Sequence, residues 1–373
     1  MLHSCRVTYV AMAHADTDQS TVLVPTDDTS AMRAVVLRSE GSPDVLHVEQ
    51  MPLPKPGVGE VRIRLHAAAI NHLDLWIRKG LPSVPKPRIM GADGAGIIDA
   101  VGPGVDPKMM GLSVVIDPSI TCGRCRSCLS GNTVYCDSFS VLGEHRAGTH
   151  AEYVVVPDVN VHPMPAHLSF AEAAALPLAF ATAWRMIMTR AQARPGERML
   201  IWGASAGVGC AAVQIGAAYG LETIVTSRSA DKLAVLRELG ATHTIDTSTE
   251  DVVSRVRAIT GDAGVEIVFD HLGDVAWKPS MSALGKGGRF VTCGATTGPN
   301  PGAQITRIFW KGLSVLGSTM ASKQDVSDML RFVDTHQITP RVDHIFDLDD
   351  IVAAHEHVES SSQVGKVVLS IVS

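Results

Sequence analysis

No apolar run in this chain approaches the ~20 residues of a membrane-spanning helix, so a soluble protein is expected rather than a helical membrane protein. The N-terminus has neither the apolar core of a signal peptide nor the Arg-rich, acid-poor character of a transit peptide, because Thr, Ser and Asp dominate Asp16–Ser30. Internal repeats and low-complexity blocks are missing. So is any excess of positive charge: the formal net charge of −6 gives no general pull toward nucleic acid or anionic membranes. The cysteine count is odd, seven, and four of the seven are clustered, which is not the pattern of a secreted disulfide framework. A reduced, cytoplasmic setting fits better. What remains is a chain of 373 residues, 46% hydrophobic and 19% charged, able to bury large cores in roughly two domains.

One stretch organises the rest: RMLIWGASAGVGCAAVQIGAAYGLETIVTS at 198–227. Met199–Trp202 suits a buried strand, Gly203–Gly209 a small-residue turn, Cys210–Tyr219 an Ala-rich helix stopped by Gly220, and Glu222–Thr226 a second strand. A helix N-terminus offers free N–H groups and about half a positive charge. A pyrophosphate docks there only where no Cβ blocks it. Gly207 and Gly209 keep that approach open, and Gly209 lets helix and strand pack closely. Against the dinucleotide fingerprint G-x-G-x-x-G, the three slots hold Ala204, Ala206 and Gly209, so two are alanine. The flanking strands and helix turn a weak glycine signal into a dinucleotide-binding expectation through Ser205, Ala206, Gly207, Val208 and Gly209.

Before this unit, residues 33–120 alternate short β runs such as Val61–Leu65 and Gly96–Val101 with Pro and Gly turns, the pattern of an antiparallel barrel or sandwich; Ala151–Val156 continues it. Ser169–Arg190 reads as helix, interrupted at Pro177. From Met199 to Gly317, strands at Thr242–Ile245, Val265–Asp270, Arg289–Cys293 and Leu313–Gly317 alternate with helical patterns, predicting a parallel, doubly wound sheet. A helix near Gln324–His336, a helix start at Asp347–Asp350 and a last strand at Lys366–Ser370 follow. Folded structure is expected to begin near Met32, with 1–31 a disordered extension or an over-long start.

Cys122-x2-Cys125-x2-Cys128-x7-Cys136 is the most specific short signal. Four thiolates at that spacing, with Gly123 and Gly131 permitting tight turns, can close one tetrahedral Zn²⁺ site. A closed all-thiolate site is structural rather than catalytic. Four free thiols or an iron–sulfur site are the alternatives.

At residues 32–373 the chain resembles the medium-chain dehydrogenase/reductase superfamily, the zinc-type alcohol dehydrogenase and quinone reductase group. The motifs are Pro52-x-Pro54-x-Pro56 before Gly59-Glu60-Val61; Asn71-His72-Leu73-Asp74; Gly91-Ala92-Asp93-Gly94-Ala95-Gly96; the four cysteines; Gly148-Thr149-His150-Ala151-Glu152-Tyr153; Ala175-Leu176-Pro177 with Thr182-Ala183-Trp184; and Gly207-Val208-Gly209. The resemblance implies an α/β chain with a GroES-like β-barrel catalytic domain at 32–180, carrying a structural-zinc lobe at 117–140. It also implies a Rossmann cofactor domain at 181–318 and a return to the catalytic domain at 319–373. It implies a homodimer or homotetramer acting on a small molecule, with no nucleic-acid or membrane partner.

The departures from that family pattern carry the functional reading. Zinc alcohol dehydrogenases have Cys where this chain has Asn71, and His where it has Ala92. They have a third ligand near Leu178–Phe180, where no Cys, His or acid occurs. Leu73 replaces their proton-relaying hydroxyl residue. Asn71 with Asp74, and Gly91-Ala92-Asp93, resemble zinc-independent quinone and enoyl reductases instead. By that resemblance Asn71 sits beside the nicotinamide ribose and the substrate carbonyl, or else caps a strand-to-helix turn. His72 polarises a carbonyl or donates a proton, or else packs. Asp74 fixes a loop or takes part in catalysis. Asp93 is a ligand or base, or a hydrogen-bonded structural carboxylate, and His145 is a further cleft candidate. At the end of the second strand stands Ser227 rather than a carboxylate, followed by Arg228 and then Lys232. Both can meet a 2′-phosphate, which favours NADPH over NADH. Thr182, Gly294 and Ser318 match positions around the nicotinamide. The expected function is NADPH-dependent hydride transfer to a quinone, enone or activated carbonyl. One alternative is a metal-assisted alcohol or aldehyde dehydrogenase using His72 and Asp93; another is a cofactor-binding protein without chemistry.

Overall fold

A computed structural model describes residues 30–372. The N-terminal extension expected at 1–31 lies outside them except for its last two residues, and strand β1 (Ala31–Leu37) begins there. Antiparallel β2 (Leu46–Pro52) pairs with it. Strand β3 (Glu60–Ile70) alternates Val61, Ile63 and Leu65, all buried, with the outward Arg62 and Arg64. That two-residue period is the signature of a strand with one face on a core. It leads into helix α1 (His72–Lys79), followed by β4 (Asp93–Val101), β5 (Ser113–Ile116), β6 (Tyr153–Pro157) and β7 (Val161–Pro163).

The helical region expected at 169–190 is three pieces: Phe170–Ala174, α2 (Pro177–Trp184) and a π-helical turn over Arg185–Arg190. Pro177 lacks an N–H and so begins α2 rather than interrupting a longer helix. The parallel unit then runs β8 (Arg198–Ile201), α3 (Gly207–Tyr219), β9 (Glu222–Ser227), β10 (His243–Asp246), β11 (Val265–Asp270), β12 (Leu284–Thr292), α4 (Ile305–Lys311) and β13 (Ser314–Gly317). Its strand order is β10-β9-β8-β11-β12-β13, all parallel. Counted within the unit, that order is the doubly wound dinucleotide-binding one, with the switch point at β8. The chain returns through α5 (Lys323–Thr335), β14 (Val342–Asp347) and β15 (Lys366–Ser370).

β15 pairs antiparallel with β3, with Val367 opposite Ile70. The seven-stranded sheet β7-β5-β4-β3-β15-β14, with β6 also on β3, is therefore built from both ends of the described chain. This pairing brings Lys366 beside the start of α1. An apolar cluster links the two sheets: Ala67, Ala69 and Ala95 from the first, Ala173–Leu176 and Phe180 between, Ile201 from the second and Val213 from α3 beside it. Small side chains at the junction let α2 lie close to both, and burying one Leu such as Leu176 contributes about 1.5–3 kcal/mol. No helix among the described residues is long and apolar enough to cross a membrane.

Candidate active site

β3 ends at Ile70, and Asn71 stays extended (φ −120°, ψ 161°) as the cap of α1. Asp74, one turn on, accepts the Asn71 N–H at 2.8 Å. Burial pushes the Asp74 carboxyl up to about 7, and the residue lines neither of the two cavities described below. Because Asp74 holds the Asn71 backbone, the Asn71 amide is free to work elsewhere. Its Nδ2 donates to Asp93 Oδ2 at 2.9 Å.

Asp93 opens β4 opposite Ala69 of β3 and is fully buried. Its Oδ1 accepts the Leu178 N–H at 2.8 Å, within the first turn of α2, where the helix dipole favours an anion. Lys366 Nζ completes the group, donating to Asn71 Oδ1 at 2.5 Å and to Asp93 Oδ2 at 2.9 Å. The Lys366 and Asp93 side chains are 5% and 0% exposed. A carboxylate and an ammonium are tolerated at that depth because each is paired and hydrogen-bonded. In the sequence Lys366 reads only as the start of the last strand. The available signal was a lysine leading an otherwise apolar strand, Lys366-Val367-Val368-Leu369, which must find a buried anion.

The donor set does not fit a catalytic metal. Asn71, Ala92 and Leu178 provide no thiolate or imidazole, and the Asp93 oxygens accept three hydrogen bonds between them. The four clustered cysteines are the one group of three or more His, Cys, Asp or Glu side chains placed to hold a metal among the described residues. There the donors do fit. The four sulfur atoms lie within 4.8 Å of one another, against about 3.8 Å along the edge of a tetrahedral zinc–thiolate site. Backbone N–H groups point at the sulfurs: Cys125 N to Cys122 Sγ at 3.4 Å, Cys122 N and Ser138 N to Cys136 Sγ at 3.3 and 3.4 Å. Such donors pull the Cys122 and Cys125 thiols down. Burial, with hydrogen bonds to Cys125 and Cys136, pushes Cys128 up to about 12.

Two adjoining cavities open beside the cluster. One, of about 410 Å³, is lined by Asn71, His72, Leu178, Thr182 and Lys366 on one side and by Ala206, Gly207, Val208 and Gly294 on the other. His145 is also on its wall, with Nδ1 accepting the Val141 N–H at 3.2 Å. The second, of about 1040 Å³, runs along Ser205, Ala206, Ser227, Arg228 and Lys232. His72 and His271 line both. Burial lowers His72, helped by Lys366 and Lys79. Burial pushes His271 down to about 4, and its Nε2 lies 3.2 Å from the Gly203 carbonyl oxygen. Asp93, Gly209 and Ser318 line neither cavity; Thr319 and Met320, next to Ser318, do line the smaller one.

α3 starts at Gly207, so the small-residue turn is shorter than expected and Gly207 is the first helical residue. A Cβ on Gly209 would come within 2.5 Å of the Gly203 carbonyl oxygen and 2.7 Å of Ala204 Cα, both backbone atoms. Gly209 therefore sets the close approach of turn and helix. A Cβ on Gly207 would meet Lys366 Cδ at 2.8 Å, so this glycine also makes room for the lysine stem. At the end of β9, Asp246 stands opposite Ser227, but its carboxylate turns away to Ser248. Arg228 is exposed. The Lys232 ammonium is spent on the backbone carbonyls of Ser361 and Gln363, at 2.5 and 3.2 Å.

The sequence matches the pattern of the alcohol dehydrogenase GroES-like domain over residues 57–166 and of the zinc-binding dehydrogenase family over 207–335. It is similar to a zinc-type alcohol dehydrogenase-like protein of Schizosaccharomyces pombe, 35% identical over 91% of this chain and 99% of that one. It is also similar to a quinone oxidoreductase of Rattus norvegicus, 29% identical over 91% and 97% of the two chains. A solved structure described as an NAD-dependent alcohol dehydrogenase superposes with a TM-score of 0.88 at 45% identity, over 91% of this chain and all of the other.

Proposed function

This chain belongs to the medium-chain dehydrogenase/reductase superfamily and is an oxidoreductase of the zinc-binding dehydrogenase type; from that premise we propose that it is an NADPH-dependent reductase passing hydride to a quinone, enone or other activated carbonyl without a catalytic metal. The observation that carries this reading is the Lys366–Asp93–Asn71 cluster, a paired lysine and carboxylate beside positions that offer no metal ligand. Oxidation of a plain alcohol leans on a Lewis acid for several kcal/mol of alkoxide stabilisation. A conjugated acceptor spreads the incoming charge itself, so positioning and fixed electrostatics carry more of the work.

The cofactor supplies the hydride. In the reading we favour, Ser205–Gly209 receive its pyrophosphate at the start of α3. Ser227 and Arg228 take a 2′-phosphate, with Lys232 held back at the rim by its two carbonyl partners. Thr182 and Gly294 flank the nicotinamide, while Ser318 bears on it only through the Thr319–Met320 wall. Asn71 and Asp93 act as a pair, Asp74 keeps Asn71 in place, and His72 sits where the two cavities meet. The domain division we propose is catalytic 32–180 with the zinc lobe 117–140, cofactor-binding 181–318, and a return at 319–373. The test is a panel of quinones, enones and aldehydes with NADPH, joined to a metal count. Turnover with conjugated acceptors and one zinc per chain are expected, with chelation raising hydrogen exchange over 117–140. Two zinc ions per chain with alcohol oxidation as the faster reaction would reverse the assignment.

The outer strand β13 leaves Val315 44% exposed, and the adjacent α4 leaves Ile305, Phe309 and Trp310 62–79% exposed. An apolar sheet edge of this kind pairs readily with another. We propose a homodimer across it. Sedimentation of the wild type should give a dimer and of Trp310→Asp a monomer. A wild-type monomer at micromolar concentration would remove the proposal.

A further inference from the structure

The buried lysine has a donor to spare. An ammonium carries three N–H groups, and two are accounted for by Asn71 Oδ1 and Asp93 Oδ2. Lys366 also lines the smaller cavity, with Leu178, Thr182 and Val367 around it. Its stem rests against Gly207, the first residue of α3, so it passes the glycine turn assigned to the cofactor on the way to Asn71 and Asp93. Asn71 and Asp93 are themselves fixed, one by the cap of α1 and the other by the Leu178 N–H. The charge is thus preorganised, and it needs no rearrangement when a partner arrives.

We propose that Lys366 receives the acceptor's carbonyl oxygen on its third N–H and holds the negative charge that develops there, an inference that rests on the reductase reading above. With an enone, hydride forms a C–H bond at the β-carbon as the C=C π bond breaks. The displaced electron pair moves toward oxygen, giving an enolate, and two electrons pass from cofactor to substrate. Lys366 donates to that oxygen throughout. Water then supplies the proton taken up at the α-carbon, giving the saturated carbonyl compound. A wall that is mostly apolar elsewhere (Ile70, Leu73, Phe139 and Val141) leaves the lysine among its few charged groups and so orients the acceptor's oxygen toward it.

The experiment compares wild type with Lys366→Met and with Lys366→Met/Asp93→Asn, the second of which leaves no unpaired carboxylate behind. Wild type must first oxidise NADPH with an enone; failure there defeats the reductase reading itself and is distinct from failure of the lysine assignment. Calorimetry then measures 4-nitrophenolate, an enolate mimic, binding to the NADP⁺ complex, with nitrobenzene as the uncharged control. Both variants should bind the phenolate about 10²-fold more weakly and lose about 10²–10³-fold in kcat. Nitrobenzene affinity and the NADPH dissociation constant should stay within about twofold, since the donor counted here serves only the acceptor. Unchanged phenolate binding and turnover in the double variant would overturn the assignment. So would weakened NADPH binding with phenolate affinity kept, which would give the lysine to the cofactor's phosphates.

Discussion

Asp325→Ala is expected to destabilise the protein by about 3–5 kcal/mol, the cost of leaving a buried charge without its partner. The Asp325 carboxylate accepts from Arg185 Nη1 at 2.7 Å, from the Ser322 N–H and hydroxyl at 2.9 and 2.7 Å, and from the Thr189 hydroxyl. The Arg185 and Asp325 side chains are only 3% and 7% exposed. Burial by itself raises the carboxyl's pKa; the hydrogen bonds from Thr189, Ser322 and Arg185 overcome it and hold the group below its ordinary 3.8. Its contribution is therefore complete above that value and is lost as pH falls through the lower folded value. Removing the carboxylate strands the Arg185 guanidinium, which also lies over the Tyr135 ring, and takes away the half of the α5 capping box that holds the Ser322 N–H. α5 is tied in turn to the cysteine lobe through Lys323, whose ammonium meets Asp117 at 2.8 Å and whose N–H meets Thr133 Oγ1 at 3.1 Å. Denaturant unfolding of Asp325→Ala, with Arg185→Met/Asp325→Leu alongside, makes the check. A well-packed apolar pair should recover much of the loss. A single-variant cost below about 1 kcal/mol would mean the pair is solvated and the packing argument fails.

Arg228→Glu is expected to invert the coenzyme preference, moving the NADPH-to-NADH ratio of kcat/KM by about 10²-fold or more. Loss of a charge-assisted hydrogen bond to phosphate accounts for roughly a factor of ten to a hundred, and repulsion adds to it. The residue suits the test because it is exposed, pairs with no acid among the described residues, and lines the larger cavity next to Ser227. Nothing at the tip of β9 compensates. Asp246 across the sheet is engaged with Ser248, and Lys232 with the carbonyls of Ser361 and Gln363. A carboxylate at 228 would instead reach the ribose hydroxyls that NADH leaves free. The solved structure described as NAD-dependent, at 45% identity, makes this a demanding comparison. An unmodified enzyme that already favours NADH would show that Ser227 and Arg228 do not read the 2′ position.

Much of the architecture was legible in short windows. The strands of the parallel unit announce themselves as apolar runs between Ala- and Leu-bearing helical patterns, and the parallel pairing observed throughout that sheet is what alternating strands and helices predict. The cysteine quartet is also local, with all four sulfurs supplied by a fifteen-residue loop whose spacing shows in the letters. Boundaries were less secure. The segment at 169–190 reads as an Ala-rich helical region broken at Pro177. It forms three pieces, and the last, the π-helical turn over Arg185–Arg190, carries Arg185 to Asp325, a partner far along the chain that no local pattern names. Lys232 shows the same limit at the cofactor site: a lysine after Ser227 and Arg228 reads as a phosphate ligand until the segment at 361–363 is seen to accept its protons.

Residue identity alone settled that Asn71, Ala92 and Leu178 cannot assemble a metal-binding set, since no packing changes the atoms a side chain carries. What stands beside them was decided by folding. Lys366 lies 295 positions from Asn71 and 273 from Asp93, and no periodicity spans such distances. It arrives there because β15 adds to β3 with Val367 opposite Ile70, and a charge placed at that depth must find its counter-charge or leave the core.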